Sequence, residues 1–395
     1  MESEERGSIR YVEQIDENVD MSKPNATIDK QTKKTDLKQP EDWTKYRYVS
    51  KDSVWYRSVD HIDRIHCKDM SCDDFVNNFE KSERPVMIQG LTESWPASQK
   101  WNWKTLCRDY GNVRFQCGDD DNGKSMKLKL KHFFGYMQHQ TDDNPLYIFD
   151  STFNERGATG QLRMDYEVPK YFKQNLWSEM PKDKDPPHSW FLIGPKRSGT
   201  TVHIDPLGTS AWNTLLQGRK RWFVIEPKAP KKIVEGIEFV KKGEDDEAIM
   251  YFTNTVQFIR RKYMKQFEMF EFIQHPGETI FIPGGWWHAV LNLDDTVAVT
   301  HNYVNEVNFD KVWKKTRKGR LDVSRLWLQR IGLKHPHLVE RAKALDRMDG
   351  FDFDREIEYR RLKKLKKAEK KRQRKLERET KKMNDSSSSS SSTEK

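Results

Sequence analysis

Thr200-Thr-Val-His203-Ile-Asp205-Pro206, completed far downstream by Pro283-Gly-Gly-Trp-Trp-His288, is the stretch on which the reading of this chain turns. His203 and Asp205 are two positions apart, so on a strand both side chains leave from the same face. His288 falls within an apolar run, Thr279 to Leu293, that reads as one strand interrupted at Gly284-Gly285. Two imidazoles and one carboxylate, with further coordination positions left open, are the ligand set of a mononuclear non-haem iron(II) site. A His-x-Asp pair alone arises often by chance. The weight here comes from the Gly-Thr turn before the pair, the Gly-Gly break before His288, and a strand lysine, Lys220, between the two.

Lys220 lies between Gly218 and the apolar run Trp222-Phe-Val-Ile. Facing inward it would be a buried charge, costly without a partner carboxylate such as a co-substrate brings. By pattern alone it is expected to point out of the sheet beside Arg219 and Arg221.

The rest of the chain frames these residues. Its 395 residues allow one large domain or two ordinary ones with tails. The 13 Trp and 20 Phe promise a sizeable core in the middle. Arg355 to Lys382 holds 15 Lys/Arg against 5 Asp/Glu, which accounts for the whole net charge of +10. Any attraction for acidic partners therefore belongs to the tail. Four cysteines without a Cys-x-x-Cys pair do not make a disulfide framework for so long a chain, which points to a reducing compartment. The opening Met1-Glu-Ser-Glu-Glu lacks the features of a signal peptide, and the longest apolar stretch is too short for a bilayer span.

Residues 1 to 50 are polar and poor in aliphatic clusters, so disorder is expected there, with order starting near Val54-Trp-Tyr. Ser71 is a cap signal for a helix carrying Phe75 and Phe79, and Trp101 to Tyr110 reads as another helix ended by Gly111. Short apolar strands follow at Val86, Val113 to Cys117, Ser125 to Leu130, Leu146 to Phe149 and Trp190 to Gly194. Further strands are expected over Ala211 to Ile225, with a turn at Gln217-Gly218, and over Val297 to Asn302. The acidic stretches Asp119 to Gly123 and Gly243 to Glu247 read as solvated turns. Many short strands between turn signals predict a mainly β sandwich or barrel with flanking helices. From Asp310 the chain turns helical, with Gly332 ending one helix, a second over His337 to Met348, and a charge-dense helix before the serine tract Ser386 to Ser392. The expected organisation is 1–50 disordered, 51–309 catalytic domain, 310–350 helical, and 351–395 a basic helix with a serine-rich tail.

Three longer runs carry a resemblance: Asp142-Asp-Asn-Pro-Leu-Tyr-Ile-Phe-Asp150, His203-Ile-Asp-Pro-Leu-Gly-Thr-Ser-Ala-Trp-Asn213, and Pro276-Gly-Glu-Thr-Ile-Phe-Ile-Pro-Gly-Gly-Trp-Trp-His288. From about Trp55 to Asn305 the chain resembles the JmjC-domain oxygenases dependent on iron(II) and 2-oxoglutarate, of the phosphatidylserine-receptor type that joins arginine demethylation to lysyl hydroxylation. The resemblance implies a double-stranded β-helix (jelly-roll, cupin-like) core and O₂ as co-substrate. It implies iron ligation by His203, Asp205 and His288, and 2-oxoglutarate held by Lys220 with Tyr147, Asn213 and Thr300. Thr200 would lie near the substrate. It thereby reverses the outward reading of Lys220. It also implies protein substrates such as histones and basic or Arg/Ser-rich nuclear proteins, with roles in chromatin, RNA processing and apoptotic-cell clearance.

Two other classes compete: a cupin-like module that holds metal without redox chemistry, and a nucleic-acid-binding module acting on RNA through the basic tail. The tail reads more readily as a nuclear localisation signal, placing the protein in the nucleus. An apolar face on the C-terminal helices would suit a homodimer contact.

Overall fold

The computed structural model describes residues 44–50, 60–119, 125–155, 157–240 and 247–389. The disorder expected over residues 1–43, the onset near Val54, the turn at 120–123, the loop at 243–246 and the last serines lie outside them. Residues 44–50, expected to be disordered, are ordered. Tyr48 is only 3% exposed, and the backbone N–H groups of Tyr46 and Tyr48 both donate to the Asp143 carboxylate at 2.7 Å. Two tyrosines supply apolar surface that the polar composition of the segment conceals.

Thirteen strands run along the described chain. The early ones are β1 (Arg64–His66), β2 (Val86–Gln89), β3 (Arg114–Asp119), β4 (Ser125–Lys129), β5 (Ile148–Asp150) and β6 (Ser189–Gly194). The later ones are β7 (Gly199–His203), β8 (Ser210–Gln217), β9 (Lys220–Ile225), β10 (Met269–Gln274), β11 (Thr279–Ile282), β12 (Trp287–Asn292) and β13 (Thr296–Tyr303). They form a major sheet in the order β1-β2-β11-β8-β13-β6-β5, a minor sheet in the order β10-β9-β12-β7, and the separate hairpin β3-β4. All pairings are antiparallel except β1 with β2. The chain switches sheet at each connection from β7 to β13, apart from the long excursion between β9 and β10. That alternation is the double-stranded β-helix.

Two expectations are refined by this winding. The strands on either side of Gln217-Gly218 are not a hairpin: β8 belongs to the major sheet and β9 to the minor one. Likewise the apolar run Thr279 to Leu293 is two strands, β11 and β12, in opposite sheets, and the Gly284-Gly285 break is the corner between them. Gly285 takes φ +94°, and a Cβ on Gly284 would stand 2.2 Å from the carbonyl oxygen of Gly208. Both are constraints only glycine meets without strain.

The central strands β8, β9, β11, β12 and β13 bury two faces, because the sheets also carry layers on their outsides. Between the sheets lie Ile62, Met87, Trp222, Val224, Phe272, Ile280 and Val290. The outside of the major sheet, through Trp212, Phe281, Val297 and Val299, packs on the early helices through Phe75, Trp101, Phe133 and Phe172. Ser71 caps the first of these helices with Asp74 in a reciprocal capping box, and Asn102 caps Trp103–Tyr110. The outside of the minor sheet, through Phe223, Ala289 and Leu291, packs on Ala248 to Val256.

The chain divides into two compact units, one ending at Val312 and one beginning at Trp313. The second holds helices Leu321–Ile331, Pro336–Met348 and Phe353–Ser389. Gly332 ends the first of them as expected, and Arg317 pairs with Asp346 and Asp349 around the buried Trp313 and Trp327. Among the described residues no helix is long and apolar enough to cross a membrane.

One buried ion cluster makes the outer layer of the minor sheet sensitive. Glu271 on β10, 1% exposed, accepts from Arg221 Nε on β9 at 2.8 Å and also pairs with Arg260. Removing the shared carboxylate takes a buried ion-pair partner from two guanidinium groups at once. Glu271→Ala is therefore expected to lower unfolding free energy by about 3–5 kcal/mol in denaturant titration; a loss below about 1 kcal/mol would show the cluster to be solvated.

Candidate active site

The ladder between β12 and β7 sets His288 directly opposite His203. Their ring centroids are 4.2 Å apart. The register shifts between His288 and Val290, where Thr201 and Val202 of β7 face the single residue Ala289 of β12, so β7 carries a bulge beside His203, a device common where strands present functional side chains. Asp205 is not on the strand with His203, as its spacing had suggested. β7 ends at His203, and Asp205 stands at the start of the one-turn helix Pro206–Gly208. Pro206 cannot donate to a ladder, so the strand ends before it. The carboxylate still comes round to His288: Asp205 Oδ2 is 3.8 Å from His288 Nε2. One ligand atom from each of His203, Asp205 and His288 lies within 4.8 Å of the others.

The hydrogen bonds of the two imidazoles decide which nitrogen is free. His203 Nδ1 is 2.8 Å from the Thr201 carbonyl oxygen, and His288 Nδ1 is 3.1 Å from that of Trp286. A carbonyl only accepts, so each Nδ1 carries the proton and each Nε2 keeps its lone pair. Burial, and after it the neighbouring His203, push the His288 imidazole down to about 4, which keeps it neutral at physiological pH. The donor set fits a divalent metal: two imidazole nitrogens and one carboxylate at a half-buried site.

A second cluster lies four residues further along the same strands. In the β9–β12 ladder Val224 faces His288 and Lys220 faces Asn292. Four residues of strand span about 13 Å at about 3.3 Å per residue. Lys220 is 1% exposed, and its Nζ donates to Tyr147 Oη at 2.9 Å and Asn292 Oδ1 at 3.0 Å. The inward orientation implied by the resemblance is the one observed. Strand alternation points Arg221 to the opposite face toward Glu271, and Arg219, just before β9, pairs with Asp294. Among the described residues no carboxylate pairs with Lys220. Burial alone pulls its ammonium down to about 7.

Asn292 is the residue that sequence reasoning passed over. Its Nδ2 donates to Ser198 Oγ at 2.9 Å, and Ser198 donates to the Pro195 carbonyl at 2.6 Å. That chain fixes the amide with Oδ1 toward the lysine. Gly194 completes the cradle, since a Cβ there would stand within 2.6 Å of Asn292, Ser198 and Tyr147. The available signal was one buried polar residue in the apolar run Trp287 to Leu293. Tyr147 lies just before β5, and burial raises its phenol so that it stays protonated.

Asn213 and Thr300 are register partners on β8 and β13. Thr300 Oγ1 donates to the Trp212 carbonyl at 2.9 Å, while Asn213 Oδ1 is buried with no partner among the described residues. Thr200 sits half-buried on β7 opposite Val290.

A double-stranded β-helix with two histidines and an aspartate at one level, and a buried cation further along the same strands, defines a metal-dependent oxygenase of the cupin-like class. Residues 190–303 match the family model described as "JmjC domain, hydroxylase". The chain is 44% identical over 296 residues to the bifunctional arginine demethylase and lysyl-hydroxylase psr-1 of Caenorhabditis elegans, covering 75% of this chain and 74% of that protein. It is 45% identical to the psr-1 protein of Caenorhabditis briggsae, over 71% of each chain. It is also 33% identical to the arginine-specific demethylase JMJ22 of Arabidopsis thaliana, covering 67% of this chain and 50% of that one. The chain belongs to the JmjC-domain oxygenases of the phosphatidylserine-receptor type, which use iron(II), 2-oxoglutarate and O₂.

The Lys220 environment gives a pH signature in the co-substrate-free protein. The folded state releases this proton near pH 7, whereas the unfolded chain holds it to about 10.5. The cost of the buried charge is therefore full below pH 7 and fades as pH rises through that window. Thermal melts of the wild type should gain stability from pH 7 to pH 9, and Lys220→Met should lack that gain. Equal slopes for the two proteins would place the charge in solvent.

Proposed function

We propose that His203, Asp205 and His288 hold the iron(II), that Lys220 with Tyr147, Asn213 and Thr300 takes 2-oxoglutarate, and that Thr200 lies against the substrate. The observation that carries this reading is the convergence of three ligand atoms within 4.8 Å, with both Nδ1 atoms tied to carbonyls. When bound, the iron supplies the redox chemistry that couples decarboxylation of 2-oxoglutarate to succinate with insertion of one oxygen atom into a substrate C–H bond. The protein's part is placement. The carbonyls of Thr201 and Trp286 orient the two imidazoles, and Asp205 offsets part of the metal's charge. Lys220, held by Tyr147 and Asn292, pairs with the far carboxylate of the keto-acid. The separation of about 13 Å between the two levels, shortened by the reach of lysine and histidine, suits a five-carbon diacid.

The substrates on this reading are proteins. Relatives named as arginine demethylases and lysyl-hydroxylases support two outcomes from one oxidant. Oxygen inserted on a lysine side chain gives hydroxylysine, and on an N-methyl group of arginine it gives a hemiaminal that releases formaldehyde. Which one occurs depends on the carbon presented to the metal. Histones and Arg/Ser-rich nuclear proteins such as splicing factors are the proposed targets, and the nucleus is the proposed location. The basic run Arg355 to Lys382, within the helix Phe353–Ser389, supports nuclear import and contact with RNA. Exposed Leu333 and Met348 support pairing of two copies through the C-terminal helices.

His203→Ala is expected to abolish Fe(II)- and O₂-dependent succinate release, and normal release would remove the iron assignment in favour of a binding module without redox chemistry. Lys220→Ala should raise the 2-oxoglutarate KM by about 100-fold, the worth of a charge-assisted contact of roughly 3 kcal/mol, with a smaller change in kcat. An unchanged KM would place the keto-acid elsewhere. Mass spectrometry of basic nuclear peptides after turnover distinguishes oxygen gained on lysine from methyl lost on arginine.

A further inference from the structure

His203 and His288 are placed by a strand ladder, but Asp205 is not. It lies in a turn that passes through Leu207 at φ +59° and Gly208 at φ +73° before entering β8. A leucine in the left-handed region is strained and persists only where the surroundings hold it. The turn packs directly on the Gly284-Gly285 corner that precedes His288, close enough that Gly284 admits no side chain against the Gly208 carbonyl. Both metal-bearing turns therefore meet at one place, and a buried hydroxyl stands there.

That hydroxyl is Ser210, 2% exposed at the start of β8. Ser210 Oγ accepts from the Gly284 N–H at 3.1 Å and from Asn308 Nδ2 at 3.0 Å. Asn308 Nδ2 also donates to the Tyr303 carbonyl at 3.2 Å, and the Tyr303 hydroxyl donates to Glu80 Oε1 at 2.7 Å. A serine oxygen has two lone pairs, and both are used. Asn305 Nδ2 donates to the same Glu80 oxygen at 2.7 Å. On the other side of the Gly284 peptide, its carbonyl accepts from Lys311 Nζ at 2.6 Å.

We propose that Ser210 is a positioning residue for the metal. It ties the turn that follows Asp205 to the corner that precedes His288, and through Asn308, which also holds the Tyr303 carbonyl, it anchors both to the core. The inference rests on the assignment of His203, Asp205 and His288 as the ligands. It goes beyond that assignment by naming what holds the one ligand that no ladder holds. Without the serine oxygen the Gly284 N–H is buried and unpaired, and the strained turn at Leu207 loses its fixed neighbour.

The test titrates the full-length, metal-free protein with cobalt(II) and reads affinity and the visible bands that report coordination geometry. Thr214→Val is the control: it breaks another buried side-chain hydrogen bond of β8, Thr214 Oγ1 to Thr279 Oγ1 at 2.7 Å, away from both turns. The wild type should bind cobalt(II) with defined bands and His203→Ala should not. Ser210→Ala should bind about tenfold more weakly with altered bands, and Ser210→Cys should fall between. Thr214→Val should keep wild-type affinity and bands whatever its fall in Tm. Should Ser210→Ala not fold, Ser210→Cys carries the same comparison with a smaller loss. Wild-type affinity and bands in the Ser210 variants, or an equal loss in Thr214→Val, would overturn the proposal. Wild-type binding by His203→Ala would instead overturn the ligand assignment and the proposal with it.

Discussion

Strand β12 is the constraint on which the rest of the molecule depends. On one side its ladder with β7 brings His288 against His203, and on the other its ladder with β9 brings Asn292 against Lys220. The histidine level and the lysine level are thus two rungs of one strand. Their separation follows from backbone geometry and not from side-chain conformation. A slip of one residue in either ladder would turn His288 and Asn292 outward and replace them with Ala289 and Leu293, or with Trp287 and Leu291, all of which now pack on the outer layer. The apolar layers on both sides of the minor sheet hold that register.

The same winding explains why an unpaired ammonium can be tolerated inside. Lys220 spends its donors on a phenol and an amide, neither of which carries charge. The protein therefore keeps an electrostatic deficit, maintained by the stability of the surrounding sheets, that the dicarboxylate of the proposed reading would relieve on binding. The two basic neighbours show the contrast. Arg219 and Arg221 each have a carboxylate of the chain itself, Asp294 and Glu271, and they take part in structure.

Much of this was legible in the residues. The His/Asp pair, the glycine corner and the later histidine suggested a metal set, and short strands between turns suggested a β barrel. What could not be read was pairing. Strands β8 and β9 look like a hairpin, and β11 and β12 look like one interrupted strand, because hydrophobic alternation reports which residues are buried but not which sheet buries them. Asn292 was missed for a related reason: one amide in an apolar run has no meaning until the strand opposite it is known to carry a lysine.

The sequence by itself determined the chemistry on offer: two imidazoles, one carboxylate, a strand lysine, and a tail that holds all the net charge. Longer runs tied these to a family of oxygenases. Tertiary structure alone decided that Asp205 leaves the strand and still faces His288, that Asn292 lies opposite Lys220, and that Ser210 joins the turn after Asp205 to the Gly284-Gly285 corner. The physical reason is that identity and spacing limit what a side chain can do, whereas ligand geometry and buried charge depend on contacts between residues tens of positions apart. Those contacts exist only once the sheets have closed on each other.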